Sequence, residues 1–302
     1  MTKMSFSINK ISNNCHYGRS RLILLLSFII LVSGCSSSKN VTLFYTGNYN
    51  GIIEGCNCPK EPEGNILNHF TFFRDSISQL ANSRYICTGN IFSYNYGDRQ
   101  NRIIIDIIDD LGYDYIAAGR NETGFYGKLD RNLTASVNIN DVPAYKILGN
   151  KGLNVVVTSV TDPSYSKYVS GSEISEMSVE EINDLAESVK KEADIFIVVS
   201  NLESSLEKNI FNRVKAIDIM ISNTNTKNEM IRFGDRLYLS HGSNAEYIGR
   251  LDISKTGEGI EFENVFEKIT SAKFSEDTEL KIYTDSLKLK YGIDKPEQSP
   301  DY

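Results

Sequence analysis

Short apolar runs alternate with amphipathic stretches along most of the chain, and turn residues separate them. The runs are rich in β-branched residues and too short for helices, which predicts strands at 41–45, 85–87, 115–118, 153–160, 195–199, 217–221, 236–240 and 247–253. Apolar residues at helical spacing predict helices at 66–80, 102–111, 179–192 and 276–291. Strands interleaved with helices indicate an α/β layered fold, in which several strand ends feed loops on one edge. We expect a functional site at that edge.

Local signals mark two of the helix ends. Ser178 precedes the helix at 179–192, and Glu181 follows at the third position, which is the spacing of a capping box. Gly112 ends the helix at 102–111.

The first 34 residues have a different pattern from the rest. They hold four basic residues and no acidic one, an apolar run at 22–32, and small residues before Cys35, which is typical of an export signal. The sequence LVSGC at 31–35 resembles the lipobox of bacterial lipoproteins. This resemblance implies a lipid on Cys35, a membrane as partner, and a place in the cell envelope facing the periplasm or the exterior. An N-terminal membrane helix is the alternative, although the run is shorter than the roughly 20 residues that a span needs.

The net charge and the length of the chain after residue 34 limit the possible classes of protein. The formal net charge of −7 becomes −11 when the four basic residues of the signal are removed, so a basic nucleic-acid surface is not expected. The expected organisation is a signal peptide at 1–34, a lipidated tether at 35–40, one globular domain at 41–270, and a C-terminal helix with a polar tail at 271–302.

Five segments at predicted strand ends carry a family resemblance, and they occur in the family's order. The clearest are LFYTGNYNG at 43–51, LGYDYIAAGRNE at 111–122 and IDIMISNTNT at 217–226. They resemble the motifs of the metallophosphatases that include the bacterial 5′-nucleotidases, namely D-x-H, G-D, G-N-H-E, a single His and G-H-x-H. The resemblance implies a four-layer sandwich of two mixed sheets flanked by helices. In that family the motif side chains hold two metal ions that activate water for phosphoester hydrolysis.

The ligand positions of these motifs are filled by asparagine. The substituted positions are Asn48, Asn50, Asn90, Asn121, Asn201, Asn223 and Asn225, while Arg120 stands where the family has a ligand Asn and Glu122 is retained. A carboxamide is neutral and a weak ligand, so seven amides would leave two dications uncompensated, and Arg120 would repel them. The sequence therefore predicts no bound metal, no cofactor and no catalytic residue.

Two interpretations of the asparagines stay open. One Asn in a glycine-containing loop is often a turn residue that tolerates left-handed backbone. The other interpretation is a polar cleft, made by these asparagines with Arg120 and Glu122, that binds a polar or anionic ligand or a protein partner without hydrolysing it. Arg120 could equally be a salt-bridged surface residue. The competing function is a metal-dependent phosphoesterase with a non-standard site, built for example from Asp98, Glu122 and His241.

Three cysteines remain after Cys15 and Cys35 are assigned to the signal and the lipid. The segment GCNCP at 55–59 resembles one found in a lipoprotein-like branch of the same family. A disulfide of Cys56 or Cys58 with Cys87 is the preferred interpretation; a zinc site with His69 as fourth ligand and a redox pair are the alternatives. His69 and His241 are expected to be hydrogen-bonded structural residues.

Overall fold

The structure is a computed structural model, and it describes residues 39–55, 64–95, 99–125, 129, 132–149, 152–168 and 174–293. The predicted signal, Cys35, Cys56, Cys58, Asp98 and the polar tail lie outside the described residues. Across the described ranges, no helix combines the length and the apolar character needed to cross a bilayer.

The first sheet has five strands in the order β11-β10-β1-β2-β3. Their bounds are β1 Asn40–Thr46, β2 Ser83–Cys87, β3 Tyr115–Ile116, β10 Tyr247–Lys255 and β11 Ile260–Lys268. β1 pairs in parallel with β2, and β2 with β3, whereas β10 is antiparallel to β1 and to β11. The carboxyl ends of the three parallel strands therefore meet at one edge.

The second sheet has six strands in the order β4-β5-β6-β7-β9-β8. Their bounds are β4 Lys146–Ile147, β5 Val155–Thr161, β6 Ile195–Asn201, β7 Ile219–Ser222, β8 Asn228–Phe233 and β9 Arg236–His241. The four inner strands β5, β6, β7 and β9 are parallel, and the short outer strands pair antiparallel to them. Every residue of β5, β6 and β7 is buried, as expected for parallel strands covered on both faces.

Five helices cover the outer faces of the sheets. Their bounds are α1 Ile66–Phe72, α2 Arg99–Ile107, α3 Val179–Lys190, α4 Ser204–Arg213 and α5 Thr278–Tyr291, and α1 continues as a π turn at Phe73–Ile77. The predicted capping box of α3 is confirmed, since Glu181 N donates to Ser178 Oγ and Ser178 N donates to the Glu181 carboxylate.

Among the described residues, three large apolar cores and one small cluster hold the layers together. The central core joins inward-facing residues of both sheets, such as Leu43 and Tyr45 from β1 with Ile197 and Val199 from β6. A second core packs the first sheet against α1, α2 and α5, and a third packs the second sheet against α3 and α4. The expected fold class, two mixed sheets between layers of helices, is confirmed.

The structure adds elements that the sequence patterns did not predict. These are the edge strands β4, β8 and β11 and the helix α4. The C-terminal helix α5 buries Leu280 and Leu287 in the core that also contains α2, so it belongs to the packed body of the domain.

Candidate functional site

The loops after β1, β2, β3 and β7 and the last residue of β6 bring six of the seven predicted asparagines together. We call this set the amide network: Asn48, Asn50, Asn90, Asn121, Asn201 and Asn223. Parallel strands place their carboxyl ends at a common edge, and here the edges of both sheets contribute. Hydrogen bonds connect these six residues to one another directly or through backbone groups that they share.

Three members of the amide network have left-handed backbone. The φ angles are 59° at Asn48, 51° at Asn50 and 57° at Asn90. Asparagine tolerates this conformation better than other residues with a side chain, apart from aspartate. The turn-residue interpretation therefore applies to these three positions, and it does not exclude their side-chain contacts.

The loops also approach one another closely through glycine. A Cβ atom added at Gly47 would lie 2.3 Å from Thr88 Oγ1, and one added at Gly119 would lie 2.6 Å from Glu122 Oε2. Only glycine fits at either position without a shift of these neighbours. The close approach is what places the amides within hydrogen-bond distance.

A buried chain of hydrogen bonds crosses from the first sheet to the second. Asn90 Nδ2 donates to Asn48 Oδ1 at 3.0 Å, and Asn48 Nδ2 donates to Asn223 O at 2.9 Å. Asn223 Nδ2 then donates to Asn201 Oδ1 at 2.7 Å, while Asn201 Nδ2 donates to Thr88 O at 3.1 Å. An amide can donate through its nitrogen and accept through its oxygen. Asn48 and Asn201 donate to backbone oxygens of the opposite sheet's loops.

The outer part of the amide network lies nearer the surface. Asn121 Nδ2 donates to Asn50 Oδ1 at 3.2 Å and to Phe92 O at 2.7 Å, and Asn50 Nδ2 donates to Asn48 O at 3.1 Å. Asn121 is buried and Asn50 is exposed. The amides are therefore engaged mainly with one another and with backbone.

Glu122 binds the backbone of the loops that carry Asn90 and Asn121. Its side chain is fully buried and accepts hydrogen bonds from Asn90 N, Ile91 N and Gly119 N at 2.6–2.8 Å. Burial raises the pKa of this carboxyl, and the backbone donors oppose the rise. The carboxylate fixes the loops after β2 and β3, and its oxygens are directed at backbone.

Thr88 and His241 are part of the same site, although sequence analysis did not place Thr88 there. Thr88 Oγ1 lies 2.7 Å from Asn223 Oδ1 and 2.7 Å from His241 Nε2. If the hydroxyl donates to the Asn223 oxygen, His241 donates through Nε2 and its Nδ1 is unprotonated. Burial lowers the pKa of His241 to about 3, so the ring is neutral. The sequence signal for Thr88 was its position, because it lies two residues before Asn90 in the same predicted loop.

Two predicted residues are not joined to the amide network by the contacts described. Asn225 bonds through its Nδ2 to the Glu229 carboxylate on β8 and accepts from Lys227 N. Arg120 is exposed, and its carbonyl oxygen accepts the Thr123 hydroxyl at 2.7 Å. The polar cleft that includes these two residues therefore stays a prediction.

The side chains at this edge do not fit a dinuclear metal centre. Within the described part of the chain, no three His, Cys, Asp or Glu side chains lie close enough together to hold an ion. The amides are neutral, and Glu122 and His241 already bond to the backbone and to Thr88. Transition metals favour imidazole, thiolate and carboxylate ligands, which this edge does not offer as a set.

The remaining candidate ligands lie in the core. Cys87 is a free thiol and fully buried between the first sheet and its helices. Its predicted disulfide partners, Cys56 and Cys58, lie outside the described residues, so the disulfide stays a prediction. The ring of His69 packs against Tyr49, and its Nε2 lies 2.6 Å from Ala245 O. His69 is thus a buried, hydrogen-bonded residue, as expected.

Comparison with known proteins gives no sequence match but a clear likeness of fold. No protein-family model and no curated protein matches this sequence. Among solved structures, a 5′-nucleotidase precursor from Thermus thermophilus is similar with a TM-score of 0.67 and 12% identity, over 84% of this chain and 58% of that one.

Two further structures agree with this likeness. The sulfate thiohydrolase SoxB of Thermus thermophilus gives a TM-score of 0.72 at 12% identity, over 85% of this chain and 62% of its own. A putative 5′-nucleotidase from Staphylococcus aureus gives 0.62 at 16% identity, over 82% of this chain and 58% of its own. The chain thus spans about three fifths of the length of the proteins it matches. At such low identity the likeness concerns the fold alone, and the chain has the metallophosphatase-like fold.

Proposed function

We propose that this protein is a membrane-anchored lipoprotein whose metallophosphatase-like domain is catalytically inactive. In this proposal the amide network takes the structural place that a metal centre would have, because it links the loops of the two sheets by direct hydrogen bonds. The domain then acts by binding a polar or anionic ligand, or a protein partner, and hydrolyses nothing.

One observation carries the proposal. Asn48, Asn201 and Asn223 are almost fully buried, and their amide groups are bonded to one another or to backbone. These amide groups are thus engaged at a position where metal-dependent hydrolysis would need open coordination sites. Two dications placed among neutral amides would also lack the negative charge that offsets their loss of hydration.

Binding at this edge would use its exposed groups. Asn50 and Arg120 are the exposed members of the predicted cleft. An amide and a guanidinium together suit a carboxylate or phosphate, since both can donate hydrogen bonds to its oxygens. Titration of inorganic phosphate into the wild type and into Arg120→Ala by calorimetry tests this point. We expect weaker binding by the variant, and no binding by the wild type would remove phosphate as a ligand class.

The decisive experiment concerns metal and turnover. Purified protein is incubated with Mn²⁺, desalted, and assayed for bound metal and for hydrolysis of p-nitrophenyl phosphate. We expect less than stoichiometric metal and no turnover that EDTA abolishes. Stoichiometric metal together with EDTA-sensitive turnover would establish the phosphoesterase alternative instead.

A separate experiment addresses the anchor. Cells expressing the full chain are labelled with a fatty acid that carries an alkyne, and the wild type is compared with Cys35→Ser. We expect label only on the wild type. Equal labelling of both proteins would show that Cys35 is not the lipidated residue.

A further inference from the structure

A cavity of about 540 Å³ lies at the carboxyl ends of β5 and β6, on the helix-covered face of the second sheet. α3 and α4 form two of its walls, and the turn that starts at Pro163 forms a third. This volume lies in the range of cavities that bind small organic molecules. The cavity is thus large enough to be a binding site in its own right.

The floor of the cavity is apolar. It consists of aliphatic side chains from β5, from α3, from α4 and from the segments that precede these helices: Val160, Ile174, Met177, Val179, Ile182, Leu202, Leu206 and Ile210. Most of them are buried, but Leu206 is 42% exposed at the opening. An aliphatic or aromatic ligand body would cover this surface and remove it from water.

The polar groups of the lining are mainly acceptors. Asp162 and Glu176 are the acidic residues of the described lining. Asp162 accepts a hydrogen bond from Ser164 N through Oδ1 at 2.8 Å. None of the described lining residues is a lysine or an arginine. The charge at the opening therefore favours a ligand that brings a positive, donating group.

The deeper polar residues are already satisfied. Asn138 Nδ2 donates to Thr161 O and to Ser175 O, and its Oδ1 accepts from Thr161 N at 3.0 Å. Thr161 donates its hydroxyl to Ala118 O at 2.6 Å. Recognition of a polar head group is thus confined to the opening, and the interior favours hydrocarbon.

The cavity is separate from the amide network. Asn201, the last residue of β6, bonds to the first sheet through Thr88 O, whereas the next residue, Leu202, packs in the outer core between the second sheet and its helices. The strand end thus divides the two regions. Binding in the cavity does not depend on whether the proposed inactivity is correct.

We propose that this cavity binds a small amphiphilic organic cation, with its hydrocarbon body against the aliphatic floor and its ammonium or guanidinium group beside Asp162 and Glu176. Charge complementarity at the opening and the size of the apolar interior select this class. An anion of the same shape is disfavoured by the same two carboxylates.

Calorimetric titration of the full chain with three six-carbon probes tests the class. The probes are hexylammonium, hexan-1-ol and hexanoate, which share a body and differ in the charge of the head group. We expect hexylammonium to bind at least tenfold more tightly than hexanoate, with hexan-1-ol between them. Binding should tighten about fourfold for each methylene from butyl- to hexylammonium.

Variants locate the site. Leu206→Trp would fill the opening from an exposed position and should abolish binding, whereas Leu289→Trp, at a 79% exposed position on α5, should not change it. Asp162→Asn with Glu176→Gln should weaken hexylammonium about tenfold and leave hexan-1-ol unchanged. Circular dichroism at rising temperature checks that each variant is folded.

The outcomes separate clearly. Selective binding of hexylammonium that Leu206→Trp removes supports the proposal. Equal binding of hexanoate and hexylammonium, an unaffected Leu206→Trp variant, or the absence of heat with all three probes at millimolar concentration would overturn it.

Discussion

Two neighbouring regions at the carboxyl ends of the second sheet's strands differ in what their polar groups are doing. In the amide network, amides bond to one another within each sheet edge and donate to backbone carbonyls across the two sheets. In the cavity beside β5 and β6, the interior is apolar and the charged groups stand at the opening. The first region resembles a polar core, and the second resembles a binding site.

A position at the carboxyl edge of a sheet is therefore not sufficient to make a ligand site. Loop residues from several strands lie at such an edge, and their polar groups can form hydrogen bonds with each other, which leaves few donors and acceptors for a ligand. A network that satisfies itself contributes to stability and specificity of folding, whereas a site needs space and groups that are available to a ligand. The comparison predicts that mutations in the amide network mainly change stability and that mutations at the cavity opening mainly change binding.

The largest effect is expected for Glu122→Ala. Three buried backbone N–H groups would lose their acceptor, which should lower the free energy of unfolding by about 4 kcal/mol. Urea denaturation measures it. Glu258→Ala, on the exposed hairpin between β10 and β11, is the matched control and should change stability little. A loss below about 1 kcal/mol in Glu122→Ala would contradict a structural role for this carboxylate.

Acid should weaken the fold through His241. Its pKa is lowered to about 3 in the folded state, against about 6.5 unfolded, so the unfolded state binds the proton as pH falls below 6.5. Between pH 6.5 and 4 this linkage should remove about 3 kcal/mol of stability. His241→Gln should lose less stability over the same pH range. Part of the loss that remains comes from His69, because burial lowers the pKa of His69 to about 4. Urea midpoints across this pH range test it, and identical pH dependence in both proteins would refute it.

A smaller effect distinguishes two asparagines of one loop. Asn223→Asp would place a carboxylate oxygen against Asn201 Oδ1, where Asn223 now donates, and should cost about 2 kcal/mol at pH 7. Because the buried acid has a raised pKa, the lost stability should return as pH falls and the group is protonated. Asn225→Asp, outside the amide network, should cost about 0.5 kcal/mol. Equal losses in thermal unfolding would show that the network has no special role.

The smallest effect on stability is expected at the cavity opening. Leu206→Ala removes a partly exposed side chain and should change the free energy of unfolding by about 0.5 kcal/mol or less. The same variant should weaken hexylammonium binding several-fold, because part of the apolar wall is gone. A large loss of stability in urea together with unchanged hexylammonium binding would show that Leu206 has a structural role and no role in binding.

Much of the fold could be predicted from the sequence because its inner strands have a strong local signal. β5 and β6 are continuous apolar runs, and the cap of α3 is encoded by Ser178 and Glu181. The missed elements have weaker signals of their own. β8 is an edge strand with mostly exposed residues, and α4 has no side-chain cap, so both depend on their neighbours.

The candidate site was predicted as a set of positions, and its chemistry was only partly foreseen. The resemblance of the loop motifs predicted the asparagines as one set of positions, and hydrogen bonds connect six of them. It also placed Asn225 there, but that side chain bonds to Glu229 on β8. The motifs contain no information on the direction of a loop side chain. Contacts between distant residues decide it, such as that between Asn48 and Asn223, which are 175 positions apart.

Residue type and local spacing were sufficient to predict eight strands, four helices, the asparagines at the strand ends and the charge of the chain. The three-dimensional packing was needed to show that the amides bond to one another and to backbone, that Cys87 is enclosed in the core, and that an apolar cavity opens beside β6. Hydrogen-bond partners, burial and empty space depend on which distant segments pack together, and no local pattern encodes them.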